Sequence, residues 1–272
     1  DKVVGTAKYV DDIRPEDCFY GATVRSPIAR GRLLGIRKSP DFDWSDITVC
    51  TAEDIPGENV VALMTDGQPV LAVDVIRHVA EPVALVAASD RDRALAAAAH
   101  IEVLYEEETP LFDPEASANH PDNKIFGDTN IFSHIVIEHG DAESAFDAAN
   151  GQLIEGTYRV GLQEQLYIEP QGMIAIPRED GGLTFVGSMQ CPYYIVKAVK
   201  RVIGHERLNV VQAVTGGGFG GKEEYPSILA AHAAVLALKT GHPIKLIYRR
   251  DEDLRATTKR HPAIMKYRTV VD

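Results

Sequence analysis

The N-terminal part of the chain is a series of short β-branched or alternating runs between glycine, proline and aspartate punctuation. FYGATVRS (19–26), RGRLLGIRK (30–38), ITVC (47–50) and VDVIRHV (73–79) each predict a strand. One helix interrupts them: DRDRALAAAAHI (90–101) opens on an aspartate suited to an N-cap and runs into alanines, and HIEVLYEE (100–107) predicts the strand that leaves it. In the C-terminal part, GQLIEGTYRVGLQEQLYIEPQGMIAIP (151–177), LTFVGS (183–188), LNVVQAV (208–214) and IKLIYR (244–249) predict strands. PYYIVKAVKRVIG (192–204) reads as an amphipathic helix with Pro192 in its first turn and Gly204 past its end, and SILAAHAAVLALKTG (227–241) as a largely apolar helix closed by Gly241. Between the two parts, TPLFDPEASANHPDNKIFGDTNIF (109–132) is rich in Pro, Asp and Asn and follows neither period, which predicts a surface connection. The expected class is α+β: a first α/β domain over 1–111, a linker over 112–132 and a second domain over 133–272, with no internal repeat.

Composition narrows the function. With 272 residues and 45% hydrophobic content, one large or two ordinary domains can bury a core. A formal charge of -12 and a pI near 5.2 oppose phosphate backbones and anionic lipid, so neither nucleic acid nor a membrane is expected as a partner. Cys18, Cys50 and Cys191 are widely spaced and form no CxxC pair, which leaves no disulfide framework or metal cluster to read and suits a reducing, cytoplasmic setting. No apolar run approaches the roughly 20 residues of a membrane span. The chain opens without methionine and closes on the strand-like KYRTVVD, so a fragment or one piece of a split polypeptide is expected.

The densest chemical signal is TGGGFGGKEEYP (215–226), with five glycines in six positions broken by Phe219. It falls between a predicted strand and a predicted helix, where backbone amides and a helix N-terminus can hold an anionic group. Gly216, Gly221 and Lys222 match the front of a P-loop, but the next residue is Glu223, which has no hydroxyl for magnesium and would repel a triphosphate. Gly216, Gly218 and Gly221 also match G-x-G-x-x-G; a dinucleotide fold places an acid about 20 residues on, whereas Asp251 and Glu252 lie about 30 beyond Gly221. A purely structural turn explains one or two glycines and leaves the rest costly in chain entropy. A ring held between glycines can face a flat ligand, and Glu223 can accept hydrogen bonds from ring nitrogens. The alternative is that Phe219 plugs the core and Glu223 favours the helix start.

The loop GGGFGGKE resembles that of the molybdenum hydroxylases, the xanthine dehydrogenase and aldehyde oxidase family. Four further segments resemble the family in the same order: GTAKYVDDI (5–13), QEQLYIEP (163–170, against QEHxYxEP), SMQCPYYIVKAVKRVIG (188–204) and RRDEDLRATTKRHP (249–262). The resemblance implies a hammerhead-like α/β domain followed by the first part of a molybdopterin-binding α+β domain. It implies a molybdenum-molybdopterin cofactor, with the cytosine dinucleotide among its forms, bordered by Gly217, Gly218, Phe219, Gly220 and Gly221. Gln163 would hydrogen-bond an oxygen ligand of the metal, and Glu223 would orient a purine or related N-heterocycle against Phe219, both as catalytic-site residues. An aldehyde is the other substrate class of the family.

Departures from the family pattern are Gln165 for histidine and Leu166 for phenylalanine. The family's base and further pterin contacts come from the distal half of the catalytic subunit, so a second molybdopterin-binding chain or domain is expected. Glu169 does not match the base position. Three scattered cysteines place the 2Fe-2S clusters, and with them FAD, on partner subunits. A nicotinamide-binding dehydrogenase and a noncatalytic assembly partner are the competing classes. His78, His100, His232 and His261 lack ligand spacing, and His232, in an alanine-rich helix, is expected in the core. Glu106–Glu108 reads as a solvated strand end, and Arg249–Asp253 as an ion-paired loop, with packing against the glycine loop left open.

Overall fold

The computed structural model describes residues 1–61, 63, 68–119, 123–148 and 150–271. By internal contact the chain divides into two units, Asp1–Thr109 with Gln165–Thr258, and Pro110–Glu164 with Lys259–Asp272.

The first unit is built on a seven-stranded mixed sheet. From edge to edge it runs Leu208–Gln212 (β10), Leu183–Gly187 (β9), Gly172–Pro177 (β8), Ile244–Ile247 (β11), Phe19–Arg25 (β1), Pro82–Ala88 (β5) and Thr48–Cys50 (β3). Strands from the two ends of the sequence meet where β1 lies parallel to β11, with Phe19 opposite Ile244 and Tyr20 opposite Lys245. A smaller sheet holds Val75–Ile76 (β4), Gly31–Lys38 (β2) and Ile101–Glu107 (β6). The predicted strand over 73–79 therefore contracts to two residues. Glu106 and Glu108, at the solvated end of β6, pair with Arg32 and Arg30.

β5 has no counterpart among the sequence expectations. All seven of its residues are buried. Leu85 and Ala87 enter the core cluster that contains the helix Pro226–Thr240 (α5), while Ala84, Val86 and Ala88 enter the cluster that contains residues of Arg91–Ala99 (α1). A strand covered on both faces has no reason to alternate. The same logic explains α5, which is buried on all sides from Pro226 to Ala237 and packs on β8, β11, β3 and β5 and on the helix Pro192–Ile203 (α4).

The helix ends follow local chemistry. Asp90 caps α1 by accepting from Arg93 N at 3.0 Å. α4 and α5 each stop at a glycine in the left-handed region, Gly204 at φ 76° and Gly241 at φ 74°, where a side chain would be strained. The expected loop at Arg249–Asp253 is instead the start of a helix, Arg250–Ala256 (α6). Its backbone ladder opens with Asp253 N donating to Arg249 O and closes with Thr257 N donating to Asp253 O.

The second unit pairs Gln152–Val160 (β7) antiparallel with Ala263–Val271 (β12), Tyr158 opposite Met265 and Gly156 opposite Tyr267. Two short helices, Pro114–Asn119 (α2) and Ala142–Ala148 (α3), join it through ion pairs. Glu115 meets Arg159 and Lys266, and Glu143 meets Arg268. The segment expected to be a featureless connection thus contributes a helix. The long strand expected over 151–177 is two strands in different units, β7 and β8, separated by irregular chain.

Candidate functional site

The glycine loop occupies the connection between β10 and α5. Each glycine has a physical cause within the protein or at its surface. A Cβ on Gly216 would stand 2.5 Å from Glu169 Cβ, one on Gly221 would stand 2.5 Å from Tyr167 Cε1, and one on Gly218 would run into the Gln190 side-chain amide. Gly217 and Gly220 have φ of +99° and +89°, values that L side chains rarely adopt. Gly221 N donates back to Gly218 O at 2.7 Å, which closes a tight turn around Phe219. The reading that a structural turn explains only one or two glycines is corrected: internal packing accounts for three and backbone handedness for the other two.

Beneath the loop lies a dense polar network. Gln190 Oε1 accepts from Gly220 N at 3.0 Å and Lys222 N at 3.2 Å, and Gln171 Nε2 donates to Gly221 O at 2.7 Å and to the Tyr167 hydroxyl at 2.8 Å. Asp253 accepts from the Tyr167 hydroxyl and from Gln171 N, both at 2.7 Å. Burial, reinforced by the Asp253 carboxylate, raises the Tyr167 phenol well above its ordinary pKa, so it stays a donor. Arg250 donates to Tyr167 O at 2.7 Å and Ile168 O at 2.6 Å. Lys222 is fully buried; its ammonium donates to Glu169 Oε2 at 3.0 Å and Ser188 Oγ at 2.8 Å and lies 4.8 Å from the centre of the Tyr167 ring. Burial lowers the Lys222 pKa, and the bond to Glu169 works in the opposite direction.

Above this network the loop tip faces outward. Phe219 is 77% exposed and sits at φ 51°, a left-handed conformation that costs a non-glycine residue about 1–2 kcal/mol. The alternative in which Phe219 plugs the core is thereby excluded. Gly220 and Glu223 are also exposed, and a Cβ built on Gly220 meets nothing within 4 Å. An uncovered aromatic ring, bare backbone beside it and a nearby carboxylate fit a large flat group carrying hydrogen-bond donors. Gln163 lies on the second unit. It is exposed, its backbone exchanges hydrogen bonds with Arg260, and its side-chain Nε2 donates to Glu164 O at 3.3 Å.

The loop's supports come from segments far apart in sequence. Tyr167 and Glu169 belong to QEQLYIEP, Ser188 and Gln190 to SMQC, and Arg250 and Asp253 to RRDED. Tyr9, of GTAKYVDDI, bridges Val214 at the start of the loop. Sequence reasoning singled out the tip and missed the residues that hold it: Tyr167, Gln171, Ser188, Gln190 and Lys222. The available signal was the coincidence of polar residues with the segments that matched in order. For Arg249–Asp253, whose packing against the glycine loop the sequence leaves open, Asp253 and Arg250 hold Tyr167 and Gln171, and these two in turn touch the loop.

Among the described residues no group of three or more His, Cys, Asp or Glu could hold a metal ion, and no helix is long and apolar enough to cross a membrane. The three cysteines are free. His232 is fully buried, as its helix predicts, with Nε2 3.0 Å from Val70 O.

Two family models match the chain: the aldehyde oxidase and xanthine dehydrogenase a/b hammerhead domain over residues 4–109, and the molybdopterin cofactor-binding domain over residues 120–272. The chain is 32% identical to a probable xanthine dehydrogenase subunit of Bacillus subtilis, over all of this chain and 36% of that protein. It is also 32% identical to the nicotinate dehydrogenase large molybdopterin subunit of Eubacterium barkeri, over 99% of this chain and 63% of that one. The chain thus spans about a third to under two thirds of the length of these relatives. Among solved structures, the aldehyde oxidoreductase of Desulfovibrio gigas superposes with a TM-score of 0.88 at 25% identity, covering 99% of this chain and 31% of that one. The glycine loop and its network fall in the region shared with these relatives, and the chain belongs to the molybdopterin-binding oxidoreductase family of xanthine dehydrogenases and aldehyde oxidases.

Proposed function

We propose that the chain forms one part of the catalytic site of a molybdenum hydroxylase acting on an electron-poor carbon of a purine or related N-heterocycle. The carrying observation is Phe219, exposed and held in a strained conformation between glycines, with Glu223 exposed close by in sequence. Molybdenum-molybdopterin, when bound, would supply oxidative hydroxylation with water-derived oxygen and take up the electrons released. Gly217 and Gly220 let the backbone approach the cofactor, Gly218 and Gly221 border it by packing inward on Gln190 and Tyr167 and so setting the loop's course, and Phe219 offers its ring face to the cofactor or substrate. Gln163 contributes an exposed amide as hydrogen-bond donor. Glu223 accepts hydrogen bonds from ring N–H groups and so fixes which edge of the heterocycle is presented.

The proposal extends to the rest of the enzyme. The activating base belongs to polypeptide that this chain does not span, supplied by a second molybdopterin-binding chain or domain. The 2Fe-2S clusters and FAD reside on partner subunits, the pterin carries or lacks a cytosine dinucleotide, and the assembly works in the cytoplasm. The proposed division is a hammerhead-like domain over 1–111, a connection over 112–132 and a first molybdopterin-binding portion over 133–272; the matched spans, 4–109 and 120–272, support the first domain and start the second earlier, inside the connection. Likeness to the Desulfovibrio gigas aldehyde oxidoreductase favours an aldehyde as the second reading of the substrate.

The test is purification of the assembled complex, assay of molybdenum and oxidised-pterin fluorescence, and turnover of hypoxanthine, nicotinate and benzaldehyde in 18O-labelled water. Label in a heterocyclic product, with Glu223→Ala raising KM for that substrate alone, is the expected result. Label only in benzoate moves the assignment to aldehydes. Absence of molybdenum together with NADH binding at the loop overturns the proposal.

A further inference from the structure

A single carboxylate oxygen holds both ends of the glycine loop. Glu169 Oε2 accepts from Gly216 N at 2.7 Å, from Lys222 Nζ at 3.0 Å and from Ser188 Oγ at 2.5 Å. The Glu169 backbone answers on the other side, its N–H donating to Gly216 O at 3.2 Å. Gly216 and Lys222 bracket the loop, and Phe219 stands midway between them. The remaining reach of the ammonium is taken up by Ser188 Oγ and the Tyr167 ring, so Lys222 cannot swing away without leaving its charge buried and unpaired.

Stability alone is a weak explanation for this pair. Well-packed neutral side chains commonly replace a buried ion pair without loss, because desolvation consumes most of the Coulomb gain. What the pair does supply is a fixed loop closure. An exposed non-glycine residue in the left-handed region persists only where its surroundings over-determine it, and at Phe219 the surroundings that do so are the two tethered ends and the Gln190 bonds between them.

We propose that Glu169 and Lys222 form a charged clasp whose role is to present the Phe219 ring at a fixed height and angle to the flat ligand, both being positioning residues. The inference rests on the reading that the loop tip borders the molybdopterin or substrate.

The test uses the full molybdenum-loaded complex with four variants: Lys222→Met, Lys222→Arg, the double variant Glu169→Leu with Lys222→Met, and Phe219→Ala. Two quantities are read for all, hydrogen exchange of the peptide containing Gly217–Gly221 and molybdopterin retained per chain through gel filtration, and KM for the heterocycle is read for Phe219→Ala. Lys222→Met is expected to speed exchange of the loop about tenfold and to lower retention by a similar factor, with Lys222→Arg restoring most of both. The double variant carries no unpaired buried charge but strands the Gly216 N–H and Ser188 Oγ, so it is expected to melt between Lys222→Met and the wild type while its loop stays as loose and poor in pterin as in Lys222→Met, a combination that a merely structural pair does not produce. A folded double variant with wild-type exchange and retention overturns the clasp. In that event Phe219→Ala still decides the underlying reading: loss of pterin or a raised KM for the heterocycle there leaves the functional proposal standing, whereas full retention with unchanged KM removes both.

Discussion

The phenol of Tyr167 donates a 2.7 Å hydrogen bond to Asp253 Oδ1 across 86 positions of sequence, with both residues fully buried. Through that bond the irregular chain around Tyr167 is fastened to α6, and the Tyr167 ring then forms the floor under Gly221 and Lys222. Tyr167→Phe keeps the floor and removes the bond. One donor to a buried carboxylate is lost, which should lower stability by about 1–3 kcal/mol. Urea titration of the intact complex measures it, and an unchanged midpoint would mean that Asp253 finds a replacement donor.

Gly220 and Gly221 should separate by phenotype. Gly221→Ala drives a methyl to 2.5 Å from Tyr167 Cε1, an overpacking expected to cost about 1–3 kcal/mol. Gly220→Ala meets open space and carries only the strain of its φ of +89°, roughly 1–2 kcal/mol. The expected pattern is a lower melting temperature for Gly221→Ala, partly relieved by Tyr167→Leu, and a Gly220→Ala protein that folds but holds less molybdopterin. A Gly221→Ala melting temperature that Tyr167→Leu does not raise would contradict the packing account.

Gln163 and Glu223 should divide between kcat and KM. On the proposed role of the Gln163 amide as a donor to an oxygen ligand of the metal, Gln163→Ala should lower kcat about tenfold or more while KM changes little. Loss of the Glu223 carboxylate should raise KM for an N-heterocycle by about ten- to hundredfold and leave an aldehyde, which has no ring N–H to offer, nearly unaffected. Steady-state kinetics on both substrate classes distinguishes them, and matching effects of the two variants on every substrate would count against separate roles.

His232 should give the fold an acid limb. Burial pulls its pKa down to about 3 from the ordinary 6.5; the bond to Val70 O opposes this fall, and the charge of Arg25 adds to it. The folded state therefore keeps His232 neutral where the unfolded chain already takes up a proton. Stability tied to this residue is complete above about pH 6.5 and is lost progressively as pH falls toward 3, at about 1.4 kcal/mol per unit. His232→Gln retains an N–H for Val70 O and does not titrate, so its unfolding midpoint should fall less between pH 6.5 and 4 than that of the wild type. Parallel slopes would assign the acid limb to other groups.

Much of the fold was legible in the sequence because local signals coincided with tertiary roles. The Asp90 cap, the left-handed Gly204 and Gly241 and the amphipathic pattern of α4 state helix limits on their own. β5 was illegible for a physical reason: a strand covered on both faces loses the alternation by which strands are recognised, and only α5 and α1 on its two sides reveal it. α6 was mistaken for a loop because RRDED carries no apolar stripe; its one buried side chain, Asp253, is held by hydrogen bonds.

For the site, sequence by itself determined the cluster of glycines around Phe219 and the family it resembles, since close packing and left-handed turns admit few residue types, while the outward direction of Phe219 came from the structure. Tertiary structure decided why each glycine is needed and what holds the loop. Glu169, Ser188, Gln190, Tyr167 and Asp253 each look like ordinary polar residues in their own segments. Their roles arise only when segments from distant parts of the chain carry them into one space, where hydrogen bonds join them to the loop and to each other.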